Sequence, residues 1–386
     1  MSDGAPAPGE QLRVAVVGLS LGRACGVRDH ATLLAGALDE AGVSCSMHWI
    51  TREASGLRAS AAELSAFRER LQRELAAESP DAILVHYSVF AYALKGVPLQ
   101  VPGTFRALRA AGVPVVGVLH EIVYPWFYGG WRGAVWAVTQ RAVMVPVMRA
   151  LDAAIVTAEQ RGQWLRTRPW LPKRPLATAP VFSNLPAPQG TPPREGPGHA
   201  IGLFGYAYQG AASELILDAL AGLRAEGGDV ELRLLGAPGA DSPGGAEWMR
   251  LAEARGVGTA LSFSGPLPAQ ELSDRIAACD VLLFADRAGP SSRKGTLAGS
   301  LASGRPIVAI DGPMTWEAFR RTGALRVVAP TAAALQRELA TLLADRAELE
   351  AQGARGLDFY EREMSLGRTA DRALELLSLQ RARAVS

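Results

Sequence analysis

A loop rich in glycine and serine carries two adjacent cations and could bind an anion. It spans residues 288–297, contains Arg293 and Lys294, and follows the apolar run Val281–Phe284. The loop leads into a segment with helical spacing, and unpaired amides and the dipole at a helix start favour negative charge. Arg adds a planar fork of donors and Lys a compact point charge. A diphosphate is the ligand that best suits these residues, and a solvated loop without a ligand is the alternative.

Polar residues in the first half of the chain follow predicted strands or begin the first predicted helix. His86, Tyr87, His120 and Glu121 follow strands, and Asp29 and His30 begin the helix. Ligands of a doubly wound sheet bind beyond the carboxyl ends of its strands, where these residues fall. Structural roles remain as alternatives: backbone groups at a strand end could satisfy His120, and Asp29 could cap a helix.

Short apolar runs alternate with helix-like segments along the whole chain. Strands are expected in the first half at 13–18, 45–51, 82–85, 113–119 and 153–157, and a new cycle begins near residue 200. This alternation predicts the α/β class, with two Rossmann-like, doubly wound parallel sheets that face each other across a cleft. Residues 186–197 contain five prolines and two glycines and are typical of a linker.

The domain organisation predicted from these patterns has three parts. An N-terminal domain covers residues 1–190 and a linker covers 186–199. A C-terminal domain covers 200–355, and a final helix at 356–386 is expected to pack back on the N-terminal domain.

Composition excludes several classes of protein. The 386 residues include 40 Lys and Arg against 38 Asp and Glu, and a net charge of +2 gives no broad field for nucleic acid. Three widely spaced cysteines argue against a disulfide framework or a zinc cluster and suit a reducing cytoplasm. The first ten residues lack the apolar core of a signal peptide, and no apolar stretch reaches the roughly 20 residues that span a bilayer.

Several short motifs in the second half occur together in a recognisable order. They are Leu234–Gly236, Phe263–Pro268, Ala278–Val281, Ser291–Leu297, Leu301–Val308 and Gly312–Pro313. In this order and spacing the segment resembles the donor-binding half of the GT-B glycosyltransferases, specifically the retaining family four. Cys25–His30 resembles the opening loop of that family, and the likeness extends over most of the chain.

The resemblance implies the GT-B fold and a retaining, metal-independent glycosyltransferase. Its donor would be a nucleotide sugar bound by the C-terminal domain, with no further cofactor. Its acceptor would be a small molecule, a glycan or a lipid-linked molecule bound by the N-terminal domain. The implied catalytic residues are His120, Arg293 and Lys294. The implied donor-binding residues are Gly205, Tyr206, Ser291, Ser292, Gly295 and Thr296. The implied acceptor side consists of Gly26, Asp29, His30, His86, Tyr87 and Glu121.

The chain departs from the family pattern at one pair of positions. Family members carry two glutamates eight positions apart, which contact the donor sugar and the nucleotide ribose. Ser291 and Gly299 stand at the corresponding positions here. The sequence therefore indicates a variant subgroup, in which Asp286 or Glu317 could supply the missing acceptor oxygen.

Other functions and contacts stay open at this stage. A non-catalytic sugar-nucleotide-binding protein or partner subunit would explain the missing glutamates, and an epimerase or a phosphorylase could use the same fold. The aromatic segment Tyr124–Trp131, with Arg132 and Trp136, could line an acceptor pocket or make weak peripheral membrane contact. The near-neutral chain argues for the pocket.

Overall fold

The computed structural model consists of two compact units. It describes residues 11–22, 25–54, 56–190, 198–206 and 212–385. Unit 1 comprises Met1–Pro180 and Leu366–Ser386, and unit 2 comprises Val181–Ser365. This division falls before the proline-rich segment in which the sequence analysis places the linker. Linker residues 191–197 and the ten N-terminal residues lie outside the described part of the chain.

Unit 1 is built on a six-stranded parallel sheet with the order β2-β1-β3-β4-β5-β6. Its strands are β1 (Arg13–Ser20), β2 (Ser44–Thr51), β3 (Ala82–Ser88), β4 (Val115–Glu121), β5 (Ala153–Val156) and β6 (Leu176–Thr178). The helices between them are α1 (Gly26–Glu40), α2 (Leu57–Glu78), α3 (Val89–Tyr92), α4 (Val101–Arg109), α5 (Gly130–Ala150) and α6 (Glu159–Thr167).

The core of unit 1 follows from apolar residues on both faces of the central strands. Every residue of β3 is buried, as is every residue of β1 after Arg13, which is typical of a sheet covered by helices on both sides. Helix α2 contributes Leu64, Phe67 and Leu71, spaced three and four residues apart on one face. These side chains bury the sheet and leave its carboxyl edge to the loops.

Unit 2 repeats this architecture with the strand order β12-β11-β10-β7-β8-β9, again parallel throughout. Its strands are β7 (His199–Phe204), β8 (Val230–Leu235), β9 (Leu261–Gly265), β10 (Val281–Phe284), β11 (Ile307–Ile310) and β12 (Arg326–Val328). Its helices are α7 (Ser213–Ala225), α8 (Pro243–Glu253), α9 (Ala269–Ala277), α10 (Gly295–Ala302), α11 (Glu317–Thr322), α12 (Ala332–Ala344) and α13 (Arg346–Glu363). The predicted α/β class with two doubly wound sheets is confirmed.

The C-terminal segment contributes to both units. Helix α13 ends at Glu363, and a further helix, α14 (Leu366–Val385), belongs to unit 1. Helix α14 packs on α1 and β5 and buries Ala373 and Leu377. The segment predicted as one helix over 356–386 is thus two helices. Within the described ranges, no helix combines the length and the apolar character needed to cross a bilayer.

Candidate functional site

The anion-binding loop predicted from the sequence connects β10 to α10 at the carboxyl edge of the unit 2 sheet. It packs on the loop that follows β11, where the backbones of Gly289 and Gly312 meet. A Cβ atom on Gly289 would lie 2.7 Å from the Gly312 nitrogen, so a side chain is excluded there. Two hydrogen bonds join the same loops, from Met314 N to Ala288 O and from Trp316 N to Pro290 O, at 2.7 and 2.8 Å. The loop before α10 is therefore held by backbone contacts.

The two cations of this loop have different environments. Lys294 Nζ lies 2.9 Å from Asp286 Oδ2, and Asp286 is only 4% exposed. Asp286 Oδ1 also accepts a hydrogen bond from Ala288 N. Arg293 is exposed and forms no ion pair with any described residue. Lys294 thus compensates a buried carboxylate, and Arg293 is the cation available to an incoming anion.

Gly205 and Thr296, both predicted to bind the donor, lie in direct contact. Gly205 follows β7 with a φ of 76°, and Thr296 is in the first turn of α10. A Cβ atom on Gly205 would lie 2.6 Å from Thr296 Cγ2. The absence of a side chain brings the end of β7 against the start of α10. Gly295, the first residue of α10, is exposed beside them.

The remaining predicted donor-binding residues are buried. Ser291 and Ser292 are 2% and 1% exposed, and Ser292 O accepts a hydrogen bond from Val181 N. The Tyr206 ring packs against Trp248 and Phe263, and its hydroxyl group is 2.7 Å from Gly239 N. The Tyr206 side chain therefore belongs to the core, and its backbone is the part that could contact a donor.

Both carboxylates suggested as substitutes for the glutamates absent at positions 291 and 299 have cationic partners among the described residues. Gly299 is buried, and a Cβ atom there would lie 3.2 Å from Phe204 Cε1 and 3.4 Å from Leu185 Cδ1. Asp286, one suggested substitute, is held by Lys294. Glu317, the other, has a side chain that is 76% exposed and lies 3.6 Å from the Arg320 guanidinium.

Three histidines converge in unit 1: His120, predicted to be catalytic, and His30 and His86, predicted on the acceptor side. His86 lies near the end of β3, His120 lies near the end of β4, and His30 lies on α1; they are 0%, 8% and 2% exposed. His86 Nδ1 and His120 Nε2 are 3.1 Å apart and share a hydrogen bond. The His30 ring lies edge-on, with its centroid 4.9 Å from that of His120 and 5.6 Å from that of His86.

Burial keeps these imidazoles neutral. Desolvation lowers the pKa of His30 to about 3. Desolvation, with repulsion by the neighbouring histidines, lowers the pKa values of His86 and His120 well below the usual range, and the Arg161 charge contributes at His120. Neutral imidazoles both donate and accept hydrogen bonds, which suits contact with a hydroxyl group.

The same three side chains have the chemistry of a metal site. The candidate ligand nitrogens of His30, His86 and His120 all lie within 4.8 Å of one another. Neutral imidazole is the form that binds a metal ion. The sequence analysis expects a metal-independent reaction, so this cluster is the place where that expectation is best tested.

The other predicted acceptor-side residues have varied environments. The Tyr87 ring is fully buried and packs against Tyr92 and Phe105, on the core side of the sheet. Glu121 Oε2 accepts a hydrogen bond from Ser88 Oγ at 3.0 Å. Gly26 and Asp29 are exposed on α1; Cys25 occupies the N-cap position, so Asp29 does not cap this helix.

Trp49, which lies near the histidines, was missed by the sequence analysis. Trp49 lies with its ring centroid 6.3 Å from that of His86, and its Nε1 donates to Ser20 Oγ. A Cβ atom on Gly18 would lie 2.2 Å from the Trp49 ring, so this glycine admits the indole. The sequence signal for this contact was a tryptophan on β2, the strand that pairs with β1.

The comparisons with known proteins agree with this architecture. Residues 199–345 match the family model described as "Glycosyl transferases group 1". No curated protein sequence matches the chain. Solved structures show that the fold is that of the GT-B glycosyltransferases.

Three similar structures illustrate the range of this fold. The sucrose-phosphate synthase of Thermosynechococcus elongatus is 18% identical, with a TM-score of 0.67 over 97% of this chain and 100% of its own. Anabaena HepE, solved in complex with UDP-glucose, is 14% identical, with a TM-score of 0.63 over 94% and 99%. A putative UDP-N-acetylglucosamine 2-epimerase from Listeria monocytogenes is also 14% identical, with a TM-score of 0.63 over 95% of both chains.

The buried histidines predict a pH-dependent stability. They are neutral in the folded chain, whereas unfolded histidines titrate near pH 6.5. Their contribution is fully present above about pH 6.5 and falls with pH below it, by about 1.4 kcal/mol per pH unit for each histidine that gains a proton on unfolding. Thermal melts from pH 7.5 to about pH 5 should show a weaker pH dependence in His86→Asn than in the parent. The control is His199→Asn, at a side chain that is 36% exposed; equal slopes in His86→Asn and the parent would contradict the neutral cluster.

The contact of Gly205 with Thr296 predicts an asymmetric effect of alanine. Gly205→Ala and Gly265→Ala each place a side chain at positive φ, 76° and 66°, at a cost of about 1–2 kcal/mol. Only Gly205→Ala also meets the Thr296 methyl group, because a Cβ atom at Gly265 would have open space. We expect Gly205→Ala to lower the melting temperature more, and Thr296→Ser in the same chain to reduce that loss. Equal losses at the two glycines would show that Thr296 does not restrict position 205.

Proposed function

We propose that this protein is a glycosyltransferase that moves a sugar from a nucleotide-sugar donor to an acceptor hydroxyl group, with retention of configuration and without a metal ion. Unit 2 would bind the donor and unit 1 the acceptor. The observation that carries the proposal is the loop between β10 and α10, within the segment that matches the family model. It presents Arg293 and the first amides of α10 at the carboxyl edge of the sheet.

The donor's leaving group sets the chemical requirement. Breaking the glycosidic bond to a nucleoside diphosphate develops positive charge on the sugar and negative charge on the departing phosphate. Fixed positive groups near that phosphate lower the barrier, and such electrostatic stabilisation contributes several kcal/mol in many enzymes. The amides of Gly205 and Gly295, the start of α10 and the Arg293 guanidinium would supply this charge.

Lys294 would have two roles in this proposal, one toward Asp286 and one toward the phosphate. Its ammonium group neutralises Asp286, so it would add less net charge to the phosphate site than an unpaired lysine would. It would still donate hydrogen bonds to a phosphate oxygen, because an ammonium group has three donors. Lys294 would therefore both stabilise the loop through Asp286 and bind the diphosphate.

The histidine cluster would bind the transferred sugar. We assign His120 to a hydrogen bond with a hydroxyl group of the transferred sugar, held in place by His86, 3.1 Å away. A neutral imidazole adds no charge that would oppose an oxocarbenium-like sugar. Retention of configuration would follow from attack on the face from which the diphosphate leaves, assisted by its oxygen.

Donor turnover by the purified protein tests this function. We expect slow hydrolysis of one member of a panel of nucleotide sugars, with release of the nucleoside diphosphate, and a rate that EDTA does not change. Loss of turnover in EDTA, restored by a divalent metal, would instead assign the reaction to a metal at the histidine cluster. Binding without turnover would indicate a non-catalytic sugar-nucleotide-binding protein, and an isomerised donor would indicate an epimerase.

Separate variants of the two cations test the phosphate site. Arg293→Ala should lower the rate of donor turnover by at least about tenfold, or 1.4 kcal/mol, without changing the melting temperature. Lys294→Ala should lower both, because it leaves Asp286 buried without its partner. Arg287→Ala, at an exposed position of the same loop, is the matched control and should change neither. Full turnover in Arg293→Ala would remove this residue from the site.

A further inference from the structure

Unit 1 exposes a group of large apolar side chains that lie close together in the sequence, on α5 and in the turn before it. We call it the α5 surface, and it consists of Trp126, Phe127, Tyr128, Trp131, Val135 and Val138. Their exposed fractions run from 42% at Val135 to 101% at Phe127. Trp131, Val135 and Val138 follow one another at helical spacing on α5, and the other three come from the turn just before it. Exposed apolar patches of this kind mark interaction sites.

Packing contacts from neighbouring residues support the turn that carries Phe127. Tyr124 packs edge-on against Trp136 and against Phe90, with ring centroids 5.1 and 6.2 Å apart. A Cβ atom on Gly133 would lie 1.7 Å from Tyr128 O, so α5 and the turn are in close contact. Phe127 has a φ of 60°, an uncommon conformation for a bulky residue. Packing thus supports a turn that directs an aromatic ring outward.

The part of the sequence that carries this surface has more basic than acidic residues, although the whole chain has a net charge of only +2. Residues 122–182 contain eight Lys and Arg and only two acidic residues, Asp152 and Glu159. Asp152 is bound by Arg109 at 2.7 Å. Segment 122–151, which includes all of α5, has three arginines and no acidic residue.

Two arginine side chains pack against the aromatic rings of this surface. The Arg132 guanidinium lies 5.5 Å from the Trp131 ring centroid, and that of Arg141 lies 4.2 Å from the Trp126 ring centroid. Burial and the nearby positive charge of Arg168 lower the pKa of Arg141. The α5 surface therefore combines exposed Trp, Tyr and Phe with a group of cations.

We propose that the α5 surface docks on the interface of a lipid bilayer that carries anionic phospholipid. Trp and Tyr prefer the headgroup level, Phe and Val enter the acyl boundary, and cations near the surface are attracted to anionic headgroups. A second copy of this chain is a poor occupant, because a symmetric interface would place arginines against arginines. The proposal goes beyond sugar transfer and does not depend on it.

Binding to vesicles tests this proposal with the full-length chain. We expect cosedimentation with vesicles of phosphatidylcholine and phosphatidylglycerol, and much weaker binding to phosphatidylcholine alone or in high salt. Phe127→Ser combined with Trp131→Ser should weaken binding by about tenfold or more, since two large apolar side chains are removed from the interface. The matched control is Leu57→Ser combined with Leu379→Ser, two side chains 59% and 48% exposed on α2 and α14.

A charge variant separates electrostatic attraction from apolar insertion. Arg132→Gln should weaken binding to the anionic vesicles and leave binding to neutral vesicles unchanged. Arg346→Gln, at a side chain that is 91% exposed in unit 2, should have no effect. Melting temperatures equal to that of the parent establish that the variants fold.

Three results would overturn the proposal. One is the absence of binding to either kind of vesicle, and another is an equal loss of binding in the control variants. The third is a dimer, detected by light scattering, that dissociates in the Phe127→Ser and Trp131→Ser variant, which would assign the surface to a second copy of the chain.

Discussion

The ion pair between Lys294 and Asp286 is the interaction on which the candidate donor site depends. A carboxylate that is 4% exposed requires a partner, and the ammonium group at 2.9 Å provides it. The pair joins the start of the loop after β10 to the residue that precedes α10. Its consequence is electrostatic: two adjacent cations in the sequence become one paired and one exposed cation in the structure. In the function that we propose, the backbone amides would therefore supply much of the attraction for the diphosphate.

The two units differ in charge at the carboxyl edges of their sheets. The edge in unit 2 presents positive groups, whereas the histidines at the edge in unit 1 are neutral. Unit 2 places a cation and helix amides beside a loop, which suits an anionic ligand. Unit 1 excludes water from three imidazoles and thereby removes their charge. A site for a diphosphate needs the first arrangement, whereas a site for neutral hydroxyl groups needs the second. This difference follows from burial and partners, since the folds of the two sheets are alike.

The sequence was sufficient to predict the fold, because apolar runs directly encode buried parallel strands. The apolar run Val281–Phe284 is strand β10, residue for residue. Side-chain direction was harder to predict. His86 and Tyr87 are neighbours in the sequence, but alternation along β3 sends them to opposite faces, so that Tyr87 joins the core. The break between α13 and α14 carries no glycine or proline, which are the residues that signal a helix end in a sequence. The roles of the site residues themselves remain predictions.

Net charge is a poor guide to partners when charge is unevenly distributed. The total of +2 favoured a pocket role for the aromatic segment before α5, yet residues 122–182 hold eight of the chain's 40 basic residues and two of its 38 acidic ones. This concentration lies in unit 1, the unit that we propose binds the acceptor. A small soluble acceptor gives no reason for an exposed face of aromatic rings and arginines, whereas a lipid-linked acceptor must be reached at a membrane. Among the acceptor classes implied by the family resemblance, the α5 surface therefore favours the lipid-linked one.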